Sequence, residues 1–161
     1  MLSVIYLDNA ATTKADQDVV DSFVKVNQTL YFNPNSPHHA GVQAEQLLLK
    51  AKSEINRILS LNNQFDIIFT SGATESNNIL LKGIAYMKKE TANEIITSVL
   101  EHPSVLEVMR YLEREKGFKL KYVDVTNEGK LDTEHLKLLM TDKVGLVTCM
   151  YVNNICLLYT S

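Results

Sequence analysis

Short apolar runs alternate with longer amphipathic segments along the whole chain, and this alternation constrains the fold more than any other feature. Val4–Leu7, Ile67–Thr70, Glu94–Ser98, Lys119–Val125 and Val144–Val152 read as strands. Asp16–Thr29 carries Val19, Val20, Phe23, Val24 and Val26 and reads as a helix. Val42–Ser60 is the clearest helix, because Ala44, Leu47, Leu48, Ala51, Ile55, Ile58 and Leu59 recur at spacings of three and four on one face. Glu75–Lys88 and Asp132–Thr141 follow as helices, the second capped by Asp132 or Thr133. Pro103–Lys116 is bounded by proline in its first turn and by Gly117 as its stop. The nearly continuous apolar run Val144–Val152 suits the centre of a parallel sheet. Strand–helix alternation of this kind predicts an α/β fold, with parallel strands joined by right-handed crossovers and helices on both faces.

Turn chemistry falls between these elements. Asp8–Thr13 is a polar turn, Asn127-Glu128-Gly129 another, and Tyr31–Pro37 a loop in which Pro34 and Pro37 exclude a helix. There are no internal repeats, low-complexity segments or linkers. The chain has 161 residues, 45% hydrophobic and 22% charged, which excludes a disordered chain and fits one domain or one piece of a larger one. Net charge is −3 and no block of Lys or Arg stands out, so a nucleic-acid groove is not indicated. No apolar run approaches the roughly 18 residues that a membrane span needs. The N-terminus lacks the basic region of a signal peptide, and the expected location is cytoplasmic.

Two cysteines are too few for a disulfide framework. Cys149 lies within an apolar run and reads as a buried small hydrophobe. Cys156–Ser161 can be encoded by TGT CTC TTA TAC ACA TCT, a string that looks like a transposon end used as a sequencing adapter. These six residues are expected to be non-native, and the chain to be the N-terminal portion of a longer protein.

Ligands of open α/β sheets bind beyond the carboxyl ends of the strands. Thr70-Ser71-Gly72-Ala73-Thr74 sits between an expected strand and a helix, where free backbone N–H groups and hydroxyls suit a phosphate. No Walker lysine follows, which disfavours a nucleoside triphosphate. An ordinary helix cap is the competing reading of that turn. Ser98–Pro103 places Glu101 and His102 at the mouth of the next strand, and Met150–Asn154 brings Tyr151, Asn153 and Asn154 to the end of the last. A lone histidine or a tandem Asn is also compatible with a purely structural role. His38, His39, His102 and Cys149 match no zinc spacing.

Five segments in order resemble the cysteine desulfurases, pyridoxal-phosphate enzymes of the class V aminotransferase group. They are YLDNAATT (6–13), NPNSPHHAG (33–41), FTSGATESNN (69–78), EHPSV (101–105) and YVNN (151–154), so the resemblance spans residues 4–154. It implies an incomplete PLP-dependent transferase fold with a mostly parallel sheet. It also implies a division into an N-terminal segment (1–15) near a small domain and the first half of a large cofactor-binding domain (16–155). Ala73 and Thr74 would hold the phosphate of pyridoxal 5'-phosphate, His102 would stack on its ring and exchange protons with substrate, and Asn154 would meet its phenolic oxygen, Asn153 being less suited. Ala11 and Thr12 would lie near the site's mouth, with Asn33 and His38 on a loop at its rim; Asn35 and Pro37 depart from the small residues usual in that loop.

The activity implied is conversion of L-cysteine to L-alanine, the sulfur passing on as an enzyme persulfide. The resemblance further implies a homodimer that supplies an iron–sulfur scaffold or a tRNA-thiolation acceptor. The family's Schiff-base lysine, pyridine-pairing Asp, substrate-binding Arg and persulfide Cys all lie beyond YVNN. None of the 13 lysines here matches the lysine motif, and these 161 residues alone are expected to be inert. Alternatives are a selenocysteine lyase, a β-lyase or an aminotransferase of the same group, or a non-enzymatic phosphate-binding domain.

Overall fold

The computed structural model describes residues 5–62 and 64–153. They fall into two compact units, divided between Phe69 and Thr70.

The first unit is helical. Helix α1 (Gln17–Thr29) starts at Asp16, whose carboxylate accepts from the Asp18 N–H. Helix α2 (His39–Ile58) starts at His38, whose Nδ1 accepts from the Gly41 N–H at 3.1 Å. Gly41 is required there: a Cβ would lie 2.3 Å from the Ser36 carbonyl oxygen and 2.9 Å from that of Asn33. The loop of prolines and asparagines therefore folds directly against the first turn of α2. On α2, Ala44 is buried and Leu47, Ala51 and Ile55 are sheltered, whereas Leu48, Ile58 and Leu59 are exposed. The expected stripe is thus covered along only part of its width. No residue of α1 is buried.

Two expected strands are not formed among the described residues. Ile5–Leu7 carries no regular structure, and Val4 lies outside the described residues. Ile67–Thr70 is not a strand either, and Ile68 and Phe69 are exposed. A strand needs a hydrogen-bonded neighbour, and none of the described residues pairs with this segment.

The second unit holds the sheet. Helix α3 (Ala73–Lys88) leads to β1 (Glu94–Ser98), α4 (Pro103–Lys116), β2 (Lys119–Val123), α5 (Thr133–Leu139) and β3 (Val144–Val147). The order is β2-β1-β3 and both pairings are parallel. The buried centre is β1, all five of whose residues are buried; β3 is at its flank, with Val147 exposed. Beyond β3, the Thr148 N–H still reaches the Ile96 carbonyl at 2.9 Å, after which the ladder with β1 ends. The apolar run 144–152 is therefore longer than the strand it contains.

Ile95 joins Leu81, Ala85, Val108, Met109, Leu112, Phe118 and Leu146 in one core between the sheet and the α3–α4 pair. Alternation along β1 sends Ile96 to the opposite face, where Lys121 of the adjacent strand donates to the Leu139 carbonyl at the end of α5. Gly117 stops α4 at φ 72°, a left-handed conformation in which its N–H reaches back to the Leu112 and Glu113 carbonyls.

Candidate functional site

Helices α3 and α4 pack side by side and start at the same end of the unit. Thr74 and His102, each from the first turn or cap of its helix, line one cleft of about 450 Å³ together with Asn78, Lys82, Pro103, Val108 and Tyr111. Ala73 and His102 line an adjoining hollow that also takes in Asn77, Glu101 and Met150. Two of the residues expected at the phosphate and the residue expected at the ring are thus brought together. The two helix N-termini give this edge a positive field.

The caps of the two helices differ. His102 caps α4 through Nδ1, which accepts from the Ser104 N–H at 3.1 Å. At α3 the cap position is Gly72, and no side chain caps the first turn. Side chains do cap each of the other four described helices. Glu75, in that first turn, is turned back onto Ser71, accepting from its N–H at 2.6 Å and its hydroxyl at 2.8 Å. Those two donors hold the Glu75 carboxyl below the usual carboxylate range. The start of α3 therefore keeps its N–H groups uncapped beside the exposed Thr74. That suits a phosphate ester. Flanking apolar surface from Pro103, Val108 and Tyr111 and the ring of His102 suit a flat aromatic group attached to it.

Glu101 is 7% exposed, and its Oε1 has no hydrogen-bond partner among the described residues. Burial pushes its carboxyl up, and a backbone N–H from Met150 partly offsets this. Cys149 is half-buried; burial, and then the charge of Glu101, raise its thiol. A thiol held protonated, as this one is just past the end of β3, is a poor nucleophile.

The remaining expected residues lie elsewhere. Ala11 and Thr12 are exposed in a turn of the first unit, their N–H groups donating to the Asp8 carbonyl at 3.1 and 3.4 Å. Asn33 accepts from the Asn35 N–H at 2.9 Å, and His38 is the α2 cap. Asn154 lies outside the described residues. Its neighbour Asn153 is 8% exposed and donates to the Leu100 carbonyl at 2.7 Å, so it braces the loop that leads to His102.

Sequence reasoning missed Asn77, Asn78, Lys82, Ser104 and Tyr111. Thr74, Asn78 and Lys82 stand four residues apart on one face of α3, a polar stripe that the sequence displays. Tyr111 carried no signal: the Lys82 Nζ lies 4.6 Å from its ring only because α3 and α4 pack together.

The family model described as aminotransferase class-V matches residues 5–156. Over 151 residues the chain is 44% identical to a Dictyostelium discoideum protein named "probable cysteine desulfurase, mitochondrial", covering 93% of this chain and 33% of that protein. It is 42% identical to cysteine desulfurase IscS of Rickettsia felis, covering 36% of it. Among solved structures, a NifS-like protein superposes with a TM-score of 0.86 at 38% identity, over 93% of this chain and 41% of that one. A structure titled SspA in complex with cysteine superposes with a TM-score of 0.81 at 29% identity, over 92% of this chain and 42% of that one. The chain spans about a third of the length of the curated relatives it matches.

Proposed function

Because the chain belongs to the aminotransferase class-V family, we propose that it carries the phosphate- and ring-binding part of a cysteine desulfurase. The single observation behind this is the shared cleft of Thr74 and His102, opened by two helix N-termini of which one lacks a side-chain cap. Relatives named cysteine desulfurase favour it over the other activities of the family.

The residues present fit pyridoxal 5'-phosphate. Ala73 and Thr74 would hold its phosphate through backbone N–H groups and the Thr74 hydroxyl, and His102 would lie against its ring. When bound, the group supplies an electron sink for reactions at the carbon bearing the substrate's amino group. This chain's own residues bind and orient: α3 fixes the anion, His102 limits tilt and carries an exchangeable proton, and Pro103 and Val108 exclude water from one wall. L-cysteine is the proposed substrate, L-alanine the product, and sulfur leaves as a persulfide on the enzyme. The proposed assembly is a homodimer that passes sulfur to an iron–sulfur scaffold or a tRNA-thiolation acceptor in the cytoplasm. Among the described residues no helix is long and apolar enough to cross a membrane.

The test has two arms. The complete open reading frame is read through codon 155 from an independent library, expressed, and assayed for alanine and persulfide from L-cysteine. Activity that falls roughly 100-fold or more in His102→Gln supports the reading; a protein that turns over another amino acid but not cysteine overturns it. In the 161-residue chain, pyridoxal 5'-phosphate should shift the amide signals of Ala73 and Thr74 before those of any other helix start. Shifts centred elsewhere would remove the phosphate assignment.

A further inference from the structure

The Asn77 side-chain amide donates to Ser104 Oγ at 2.9 Å, joining α3 to α4 across 27 residues of sequence. Ser104 Oγ in turn lies 2.9 Å from Nδ1 of His102. The Ser104 backbone N–H reaches the same Nδ1 at 3.1 Å.

These contacts leave little freedom in where the protons lie. A backbone N–H can only donate, so Nδ1 must accept from it. The Asn77 amide, acting as donor, occupies a lone pair of Ser104 Oγ. The hydroxyl proton is then free to point at the other neighbour, which is again Nδ1. Two donors thus converge on one ring nitrogen, and the neutral imidazole must carry its proton on Nε2.

We propose that Asn77 and Ser104 are positioning residues that hold His102 as the Nε2–H tautomer with its ring fixed against the start of α4. His102 then presents a hydrogen-bond donor, not a lone pair, at its outer nitrogen. It can lend a proton or steady a negatively charged atom there, and it cannot start as a base at that nitrogen. The importance of this for catalysis rests on the ring-binding role assigned to His102 above; the tautomer itself does not. Asn77 and Ser104 fall within two of the segments that carry the family resemblance, 69–78 and 101–105, but nothing in the sequence alone links one to the other.

The test is a nitrogen-15 spectrum of the histidine rings in the full 161-residue chain, with His102 identified by its loss in His102→Gln. The expected result is an unprotonated, pyridine-type Nδ1 and a protonated, pyrrole-type Nε2. Ser104→Ala should bring the two nitrogen shifts closer together, while Ser104→Thr, which keeps the hydroxyl, should restore their separation. Asn77→Asp replaces a donor by an acceptor, so the Ser104 hydroxyl turns to the carboxylate; Nδ1 then keeps only the backbone donor, and the two shifts should draw together as in Ser104→Ala. A wild-type spectrum with protonated Nδ1 overturns the proposal, as does a Ser104→Ala spectrum identical to wild type when circular dichroism shows both folded. Adding pyridoxal 5'-phosphate separates the two claims. If the tautomer is as expected but no His102 signal responds, the ring-binding reading fails and the positioning role stands.

Discussion

Asn153 and Leu100 are joined by a 2.7 Å hydrogen bond from the side-chain amide to the backbone carbonyl, across 53 residues of sequence. Leu100 ends the turn that follows β1, and two residues later His102 caps α4. The end of the last apolar run is thereby tied to the loop that aims His102. Asn153→Ala removes the donor and leaves the carbonyl without this partner. Loss of a bond of this kind costs about 1–2 kcal/mol. The expected outcome is a lower denaturant midpoint, with the cleft residues around His102 losing amide-exchange protection before the sheet does. Unchanged protection at Leu100–Ser104 would contradict the bracing role.

The carboxylates at the two ends of β1 respond to pH with opposite sign. Glu101, past its carboxyl end, has its folded-state value raised by burial. The folded protein keeps this proton to a higher pH than the unfolded chain does. Its contribution is therefore full at pH below the ordinary carboxylate range and declines as pH rises through the folded value. Glu101→Gln cannot ionise and can still accept from the Met150 N–H. It should gain stability over wild type near neutral pH and lose that advantage in acid. Thermal midpoints of the two proteins, measured across the acidic range, check this; parallel curves would refute it.

Glu94, at the amino end of β1, accepts from Lys121 Nζ at 2.6 Å and from the Thr141 hydroxyl at 2.9 Å. The Lys121 and Thr141 bonds hold its carboxyl below the usual range. Its contribution is present above the unfolded value and is lost as pH falls through the folded one. Glu94→Gln should lower the thermal midpoint at neutral pH, and the gap from wild type should close in acid. The same substitution should leave cofactor binding unchanged, because it lies at the strand end away from His102.

How much of this was legible in the sequence depends on how local the signal is. Helix α4 and strand β1 run as expected to the residue, because proline opens α4, Gly117 closes it at positive φ, and β1 is buried along its whole length. The extent of Val144–Val152 and the status of Ile67–Thr70 were not legible, since a strand ends where its hydrogen-bonding neighbour ends, and that is a property of the sheet. At the candidate site, the position of Ala73, Thr74 and His102 at helix starts was legible because those starts are written in turn residues. Asn77 and Ser104 could not, because their bond exists only once α3 packs on α4.

Two glycines should respond oppositely to alanine. Gly41 sits where a Cβ would meet the Ser36 carbonyl oxygen at 2.3 Å, and backbone cannot move aside as a flexible side chain can. Gly41→Ala should destabilise the first unit by more than about 1 kcal/mol, in the range of overpacked sites. Gly83 lies inside α3, and a Cβ there meets nothing within 4 Å. Gly83→Ala should stabilise α3 by roughly 0.5–1 kcal/mol through helix propensity. Chemical denaturation of each variant gives the comparison, and a loss of stability in Gly83→Ala would show that the helix face is covered.

Apolar surface governs how these 161 residues behave in solution. In α1 no residue is buried, and Val19 and Phe23 are 60% and 68% exposed on one side of the helix. Among the described residues, β3 pairs with β1 along one edge only. Exposed apolar stripes and open strand edges both recruit further chains. The chain is therefore expected to self-associate as concentration rises, which light scattering coupled to size exclusion would show as a growing mass. Val19→Gln with Phe23→Gln should reduce that association. Because neither side chain is buried, the change in folding stability should stay within about 0.5 kcal/mol. A wild-type chain that remains a monomer at all concentrations and melts sharply and reversibly would contradict the expectation. Association that persists in the double variant would move its source from α1 to the open edge of β3.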